Sequence, residues 1–384
     1  MTRMTGPYDG PEGLRRFRSE LTAWLDDHDA SFQRRTPGAS LADEVERSQA
    51  NRRRLWQAGW LRHGWPETVG GFGGSPMLRA ATAEEGARRG LFYDTHAAVS
   101  DVLAPTVIEA APDLAKAYIT PFLSGSESWC QGFSEPEAGS DLASLRCRAV
   151  DAGDHWVVTG QKVWTSYAQF ASRMVLLVRT GTTEDRHRGI TALLVDMDSP
   201  GMTVRPLHAI NDMAEFSETF FDDVRVPKSR VIGQVDGGWS VAMRILRSER
   251  GGIFWMLSAW LLDEFERSVD AAGLAAADDD ALGRLFTSVA ALRARSWTTQ
   301  HRLAAGRIEI PETSIDKILM ATAEQELFDL VRASLDGVLE FADTDAAAWS
   351  RSTFMYSRAA SVYGGTAEIQ RNIVADQLLG LRGA

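Results

Sequence analysis

The spacing of apolar residues changes period twice along this chain, and that constrains the fold more than any other feature. From Pro11 to about Leu123 apolar positions recur at helical spacing, as in Leu14, Phe17, Leu21 and Leu25. Around Gly125 the period shortens to two. Leu145, Cys147 and Ala149 alternate with Arg146 and Arg148, a DAGD turn follows, and His155 to Thr159 reads as the return strand of a hairpin. Strand-like runs continue at Met174 to Val178, Ile190 to Val195 and Glu218 to Val224, and the segment closes at VPKSRVIG and Gly237-Gly238. Beyond Trp239 helical spacing returns and persists to the C terminus, with a loop expected at Asp278 to Asp280 and a break from Gly306 to Pro311. This order predicts an α+β protein with a helical domain over 1–125, a β domain over 126–235 and a second helical domain over 236–384.

Composition narrows the function classes. The 384 residues carry a net charge of -11, which argues against nucleic acid as a partner, because phosphate-tracking surfaces need clustered cations. Only four of the 41 basic residues are lysine: 116, 162, 228 and 317. The longest apolar run, Ile253 to Leu262, is broken by Ser258 and is too short for a bilayer, so no membrane insertion and a cytoplasmic location are expected. Cys130 and Cys147 form no CxxC pair and read as small buried hydrophobes. The seven histidines offer no HExxH or Cys/His cluster, so no metal is expected, and no GxSxG elbow supports serine hydrolysis. The Gly-rich stretch from Trp65-Pro66 through Gly70-Gly71-Phe72-Gly73-Gly74 fails as a phosphate-binding GxGxxG at Pro76 and reads better as a tight interhelix loop.

Three segments carry chemistry. Trp129 to Asp141 (WCQGFSEPEAGSD) combines small residues and hydroxyls, which let amides and serines approach a flat, hydrogen-bonding ligand. Gly160 to Ser166 (GQKVWTS) puts the Trp164 plane beside hydroxyls, although one of 12 tryptophans is by itself more often core than platform. Val362 to Asn372 (VYGGTAEIQRN) reads on its own as a helix start capped by Thr366.

In this order and at these separations SEPEAGSD, GQKVWTS, FFDDVRVPKSRVIG and GGTAEIQRN resemble the acyl-CoA dehydrogenase family over essentially the whole chain, and WPETVGGFGG fits that family's first helical domain. The resemblance implies an N-terminal helical domain, a central β-barrel or sandwich and a C-terminal helical bundle. It implies FAD as cofactor and an acyl-CoA thioester as substrate, desaturated at the α,β carbons, with electrons leaving to an electron-transfer flavoprotein. Carried over by position, Gln131, Phe133 and Ser134 would hold the flavin's pyrimidine edge and Ser140 would lie near the CoA phosphates. Trp164 would pack on the ring system with Ser166 near N5, and Thr366 and Glu368 would contact FAD at a helix start.

The base departs from the common pattern. Many family members carry Glu immediately before the GT of the C-terminal motif, where this chain has Gly364. A subset places the base in a Glu-Arg pair on the first long helix after the β domain, and Ser248-Glu249-Arg250 stands there, so Glu249 is the candidate base. An ordinary salt bridge is its alternative. The α-proton of a thioester is weakly acidic, so the base is expected to need burial, which raises its pKa, and an enolate stabiliser opposite, for which the backbone N-H of Gly364 remains available. Glu249, Ile253, Met256 and Trp260 are expected to share one helix face beside the acyl group, with Arg250 near the CoA end or in a structural ion pair. A carboxylate placed at 364 is expected to rescue in part a chain carrying Gln at 249.

The family's Arg-x-x-Phe-Gly segment and its Gln followed by a Gly-Gly turn, which reach a neighbouring subunit's FAD in homotetramers, have no counterpart here. Relatives with such losses pair two unlike subunits, so a homo- or heterotetramer with a paralogue is expected. Two alternatives stand beside the dehydrogenase: a partner subunit that completes another chain's site, and a flavin oxidase or monooxygenase on the same scaffold.

Overall fold

A computed structural model describes residues 8–34, 39–92, 94–271, 279–307, 310–334 and 337–381. The helices are α1 (Gly10–Asp27), α2 (Leu41–Gln57), α3 (Pro76–Arg88), α4 (Asp94–Ala110) and α5 (Pro112–Leu123), then α6 (Gly238–Gly252) and α7 (Phe254–Ala271). They continue with α8 (Asp279–Ala304), α9 (Ile310–Ser334), α10 (Val338–Phe341), α11 (Asp345–Ser357) and α12 (Ala367–Ile373). Between α5 and α6 lie β1 (Trp129–Gly132), β2 (Arg148–Asp151), β3 (His155–Ser166), β4 (Arg173–Arg179), β5 (Ile190–Asp196), β6 (Met202–Leu207), β7 (Phe216–Pro227) and β8 (Val231–Ile232). This is the helix, sheet, helix order that the periodicity predicts. None of the described helices is long and apolar enough to cross a membrane.

By its contacts the chain forms two compact units. One comprises the described parts of Met1–Ser40, Gln57–Asp94 and Glu249–Ala384; the other comprises Leu41–Trp56 and Thr95–Ser248.

The second unit holds a single eight-stranded sheet in the order β6-β7-β3-β2-β4-β5-β8, with β1 added parallel to β4. Its core gathers Cys130, Cys147, Trp156, Val158, Met174, Leu176, Leu193, Val195, Phe221 and Val224. Burial drives both thiols above their ordinary range, Cys147 to about 11, which makes them inert hydrophobes as their isolation suggested. β4 and β5 are buried almost throughout, and that is why they read as continuous apolar runs. The sequence reading misses β6, because MTVRPL is half exposed and holds a proline, both marks of an edge position.

In the first unit α1 buries Leu14, Phe17, Leu21 and Leu25 as the spacing predicts. The Gly-rich loop is folded on itself: Gly64 N donates to Gly73 O, Gly73 N to Trp65 O and Gly71 N to Pro66 O. A Cβ on Gly71 would stand 2.0 Å from Trp65 O, so glycine is required for that closeness and the loop is an interhelix turn. α9 is the hub of the C-terminal helices, packing on α7, α8, α11 and α12.

Three expectations for this region change. Asp279 and Asp280 open α8 instead of forming a loop, where their charge suits the positive end of a helix, and Asp278 lies outside the described residues. The break expected from Gly306 to Pro311 does separate α8 from α9, and only its far bound moves, since Pro311 lies inside the first turn of α9, where its missing N-H costs nothing. The third correction is that Glu249 and Trp260 are not on one helix. α6 ends at Gly252, Ile253 forms a bend, and α7 begins at Phe254, with Leu257 N donating to Ile253 O. Two adjacent glycines, the weakest helix formers after proline, make the interruption there.

Candidate active site

In the sheet unit the first motif runs off the end of β1. Phe133 is buried and its carbonyl accepts from Lys162 Nζ at 3.0 Å, while the Ser134 carbonyl accepts from Val163 N at 2.9 Å. Glu135 folds back beneath the loop. Its Oε1 accepts from Cys147 N (2.9 Å) and Lys162 Nζ (2.7 Å), and its Oε2 accepts from Arg146 N (2.7 Å). Lys162 has no exposed surface, so this is a buried ion pair satisfied on both sides, and it staples the loop to β3. Gln131 and Ser134 are half-buried and Ser140 is exposed beyond the stapled part. The sequence reading passed over Glu135 and Lys162, although both lie inside its quoted motifs.

Trp164 is presented by a β-bulge. The β3–β7 register runs Lys162↔Thr219 and then Thr165↔Ser217, so β3 carries one extra residue between them. Trp164 takes φ +58, and its side chain is 61% exposed with Phe216 edge-on at 5.9 Å. The exposure rules out the core alternative. A left-handed conformation costs a residue with a Cβ about 1–2 kcal/mol, and an exposed indole returns little of that, so Trp164 is a candidate platform for a flat ligand. Ser166, half-buried, follows two residues later. An indole plane, nearby hydroxyls and a clamped loop are groups that could hold a planar, hydrogen-bonding cofactor. Trp164→Gly is expected to leave stability almost unchanged, since relief of the strain offsets the lost aromatic pair, about 0.5–1.5 kcal/mol. The same change should weaken cofactor retention, as denaturation midpoints and the ratio of bound flavin to protein will show.

In the helical unit Glu249, Arg250 and Gly364 come together, as the motif reading anticipates. Gly364 has φ +63 and Gly365 φ +93. A Cβ on Gly364 would lie 2.8 Å from Glu249 Oε1, so the Glu249 carboxyl fills the space in which a side chain at 364 would begin. Gln at 249 would reach the same space, so a carboxylate added at 364 requires that side chain to swing aside. Arg250 is 5% exposed and its Nε donates to the Gly364 carbonyl at 3.0 Å. Burial lowers its guanidinium from the ordinary range, against the opposing pull of Glu249. Gln370, wholly buried on α12, donates to the carbonyls of Gly364 (3.2 Å) and Gly365 (3.1 Å). Both residues hold the turn from below, and a Cβ on Gly365 would meet Gln370 Nε2 at 2.4 Å.

Thr366 caps α12, its hydroxyl accepting from Ile369 N at 3.2 Å. Glu368 is exposed and pairs loosely with Arg371. Ile253 is half-buried at the bend, Met256 is buried, and Trp260 lies 6.1 Å from Phe328 of α9. Lys317 and Glu324 of α9 are buried beside Tyr363, a cluster the sequence reading does not single out. Their signal was present: seven residues apart, they share the helix face of Met320, Ala321 and Leu327.

Residues 130–224 match the acyl-CoA dehydrogenase middle domain and residues 236–379 match the acyl-CoA dehydrogenase C-terminal domain. The chain belongs to the acyl-CoA dehydrogenase family and is an oxidoreductase. Among its relatives, acyl-CoA dehydrogenase IpdE1 of Mycobacterium tuberculosis is 35% identical over 382 residues, spanning 96% of this chain and 98% of the relative. IpdE1 of Mycolicibacterium smegmatis is 36% identical over 389 residues, with the same coverage of both chains. Among solved structures, the Tcur3481-Tcur3483 steroid ACAD superposes with a TM-score of 0.83 at 26% identity, covering 98% of this chain and 100% of that one. A chain of the ChsE4-ChsE5 complex from Mycobacterium tuberculosis gives 0.81 at 26% identity, with both chains fully covered.

Proposed function

We propose that this chain carries out FAD-dependent α,β-desaturation of an acyl-CoA thioester, with Glu249 as the base that removes the α-proton. One observation carries the reading. The Glu249 carboxyl stands 2.8 Å from the point where the side chain at position 364 would start. The resemblance puts the family's more common base at that position, so a carboxylate reaches the same place from α6. The Gly364 N-H is the donor for the thioester carbonyl, and it stabilises the negative charge that develops there as the proton leaves. Arg250 and Gln370 act indirectly, fixing the Gly364–Gly365 turn through its carbonyls. Ile253 borders the acyl group, and Ser140 is left for the CoA phosphates.

Trp164, Ser166, Gln131, Phe133 and Ser134 are the residues proposed to hold the flavin, with Thr366 and Glu368 at its other contacts. FAD, when bound, supplies the acceptor for the β-hydride. The chain's own task is to align acyl group and base. An electron-transfer flavoprotein is the proposed electron acceptor.

The heteromeric reading also has support. The family segments that serve a neighbour's FAD are missing from the sequence, and two of the similar structures are pairs of unlike chains. A steroid-derived acyl-CoA leads the substrate panel, because one of those pairs is described as a steroid ACAD. The chain purified alone is expected to be yellow and to bleach when an acyl-CoA from the panel is added anaerobically. A colourless chain that turns yellow only with a paralogue moves the reading to a shared site. Oxygen consumption without an added acceptor would replace it with an oxidase.

A further inference from the structure

We propose that Lys317 is a positioning residue for the base: its ammonium holds the Glu249 carboxylate, as the anion, against the Gly364 turn. This rests on Glu249 being the base. Lys317 projects from α9 and is 2% exposed. Its Nζ donates to the Ala360 carbonyl and lies 3.9 Å from the centre of the Tyr363 ring. Its Cε is 3.6 Å from the same point beside Gly364 that Glu249 Oε1 approaches to 2.8 Å. A single cation therefore braces the segment that leads into the turn, and its ε-carbon lies beside the same glycine as the carboxylate, which acts on it electrostatically.

A buried ammonium needs an anion. The charged and titratable groups facing Lys317 are Glu324 on its own helix, Glu249 and Arg250 from α6, and the Tyr363 phenol. Glu324 is a part-time anion, because burial pushes its carboxyl up to about 7 against the attraction of Lys317, the hydroxyl of Tyr363 and the charge of Arg358. Arg250 is a cation already committed to the Gly364 carbonyl. Glu249, reaching in from α6, is the other carboxylate that acts on Lys317. Burial brings the Lys317 ammonium down to about 8, with Glu324 and Glu249 opposing that fall.

The test uses the full chain with FAD, and with its paralogue if flavin binding requires one. Flavin reduction by acyl-CoA is expected to fall as pH rises through about 8, when the ammonium loses its proton. Lys317→Arg keeps the charge and flattens that fall. Lys317→Met should lose roughly tenfold to a hundredfold in rate and should no longer show the fall above pH 8. A second readout does not depend on turnover. With four lysines in the chain, the ε-carbon NMR signal of Lys317 is assigned by its loss in Lys317→Arg. Glu249→Gln should shift the titration of that signal to lower pH. A titration unmoved by Glu249→Gln, or a Lys317→Met profile that superimposes on wild type, overturns the proposal. If Lys317→Met does not fold, the NMR comparison decides alone. Near-normal turnover in Glu249→Gln would overturn the base assignment instead, whatever the lysine signal does.

Discussion

Glu249→Gln should bind FAD and acyl-CoA as the wild type does and reduce its flavin about 10²- to 10⁴-fold more slowly, the contribution expected of a positioned general base. Gln is nearly isosteric with Glu, so the contact beside Gly364 persists while the proton acceptor is gone. Stopped-flow absorbance of the flavin measures this directly, and undiminished reduction would sink the assignment. The geometry also specifies how function can be restored. Adding Gly364→Glu to Glu249→Gln should recover less, because the amide at 249 must first swing out of the space that the new side chain needs. Glu249→Gly combined with Gly364→Glu clears that space and should recover part of the rate. Recovery will be incomplete, since φ +63 at position 364 costs a residue with a Cβ about 1–2 kcal/mol.

Lys162→Met should be the most damaging single change in the sheet unit. It leaves Glu135 buried without its cation and the Phe133 carbonyl without one donor, and breaking such a pair costs about 3–5 kcal/mol. The loop that carries Ser134 loses its staple with it, so flavin content should fall together with the urea midpoint of unfolding. Adding Glu135→Gln should return part of the stability, because the stranded charge is then neutral. If Lys162→Met keeps both its midpoint and its flavin, the staple is dispensable.

The sequence made the architecture legible wherever burial imposed a period. Leu14, Phe17, Leu21 and Leu25 mark one face of α1, and the apolar runs of β4 and β5 are strands covered on both sides. β6 was hidden because edge strands bury little and tolerate proline. The helix interruption after Gly252 was missed because apolar spacing carries across it unchanged, while the two glycines that cause it were read as ordinary helix content. Of the candidate site, the motifs pointed to Glu249, Gly364 and Trp164, which sit in distinctive local patterns. They did not reveal Glu135–Lys162, Gln370 or Lys317–Glu324. Glu135–Lys162 and Lys317 do their work through contacts across 27 residues (Lys162 to Glu135) or 43 residues (Lys317 to Ala360) of chain, which no local motif records, whereas Gln370 reaches Gly364 and Gly365 within its own motif. A polar residue on an otherwise apolar helix face was the cue available for the last pair.

The fate of the lysines has a practical consequence. Lys162 and Lys317 are sealed in the interior, and Lys228 is paired with Asp151 and lies over the Trp156 ring, leaving Lys116 as the exposed side-chain amine. Amine-directed acylating reagents should therefore attach to the folded protein at very few places. Among side-chain amines, a dye or a surface tether coupled by that chemistry would sit on α5, beside any label on the chain's α-amino group, with both sealed amines untouched.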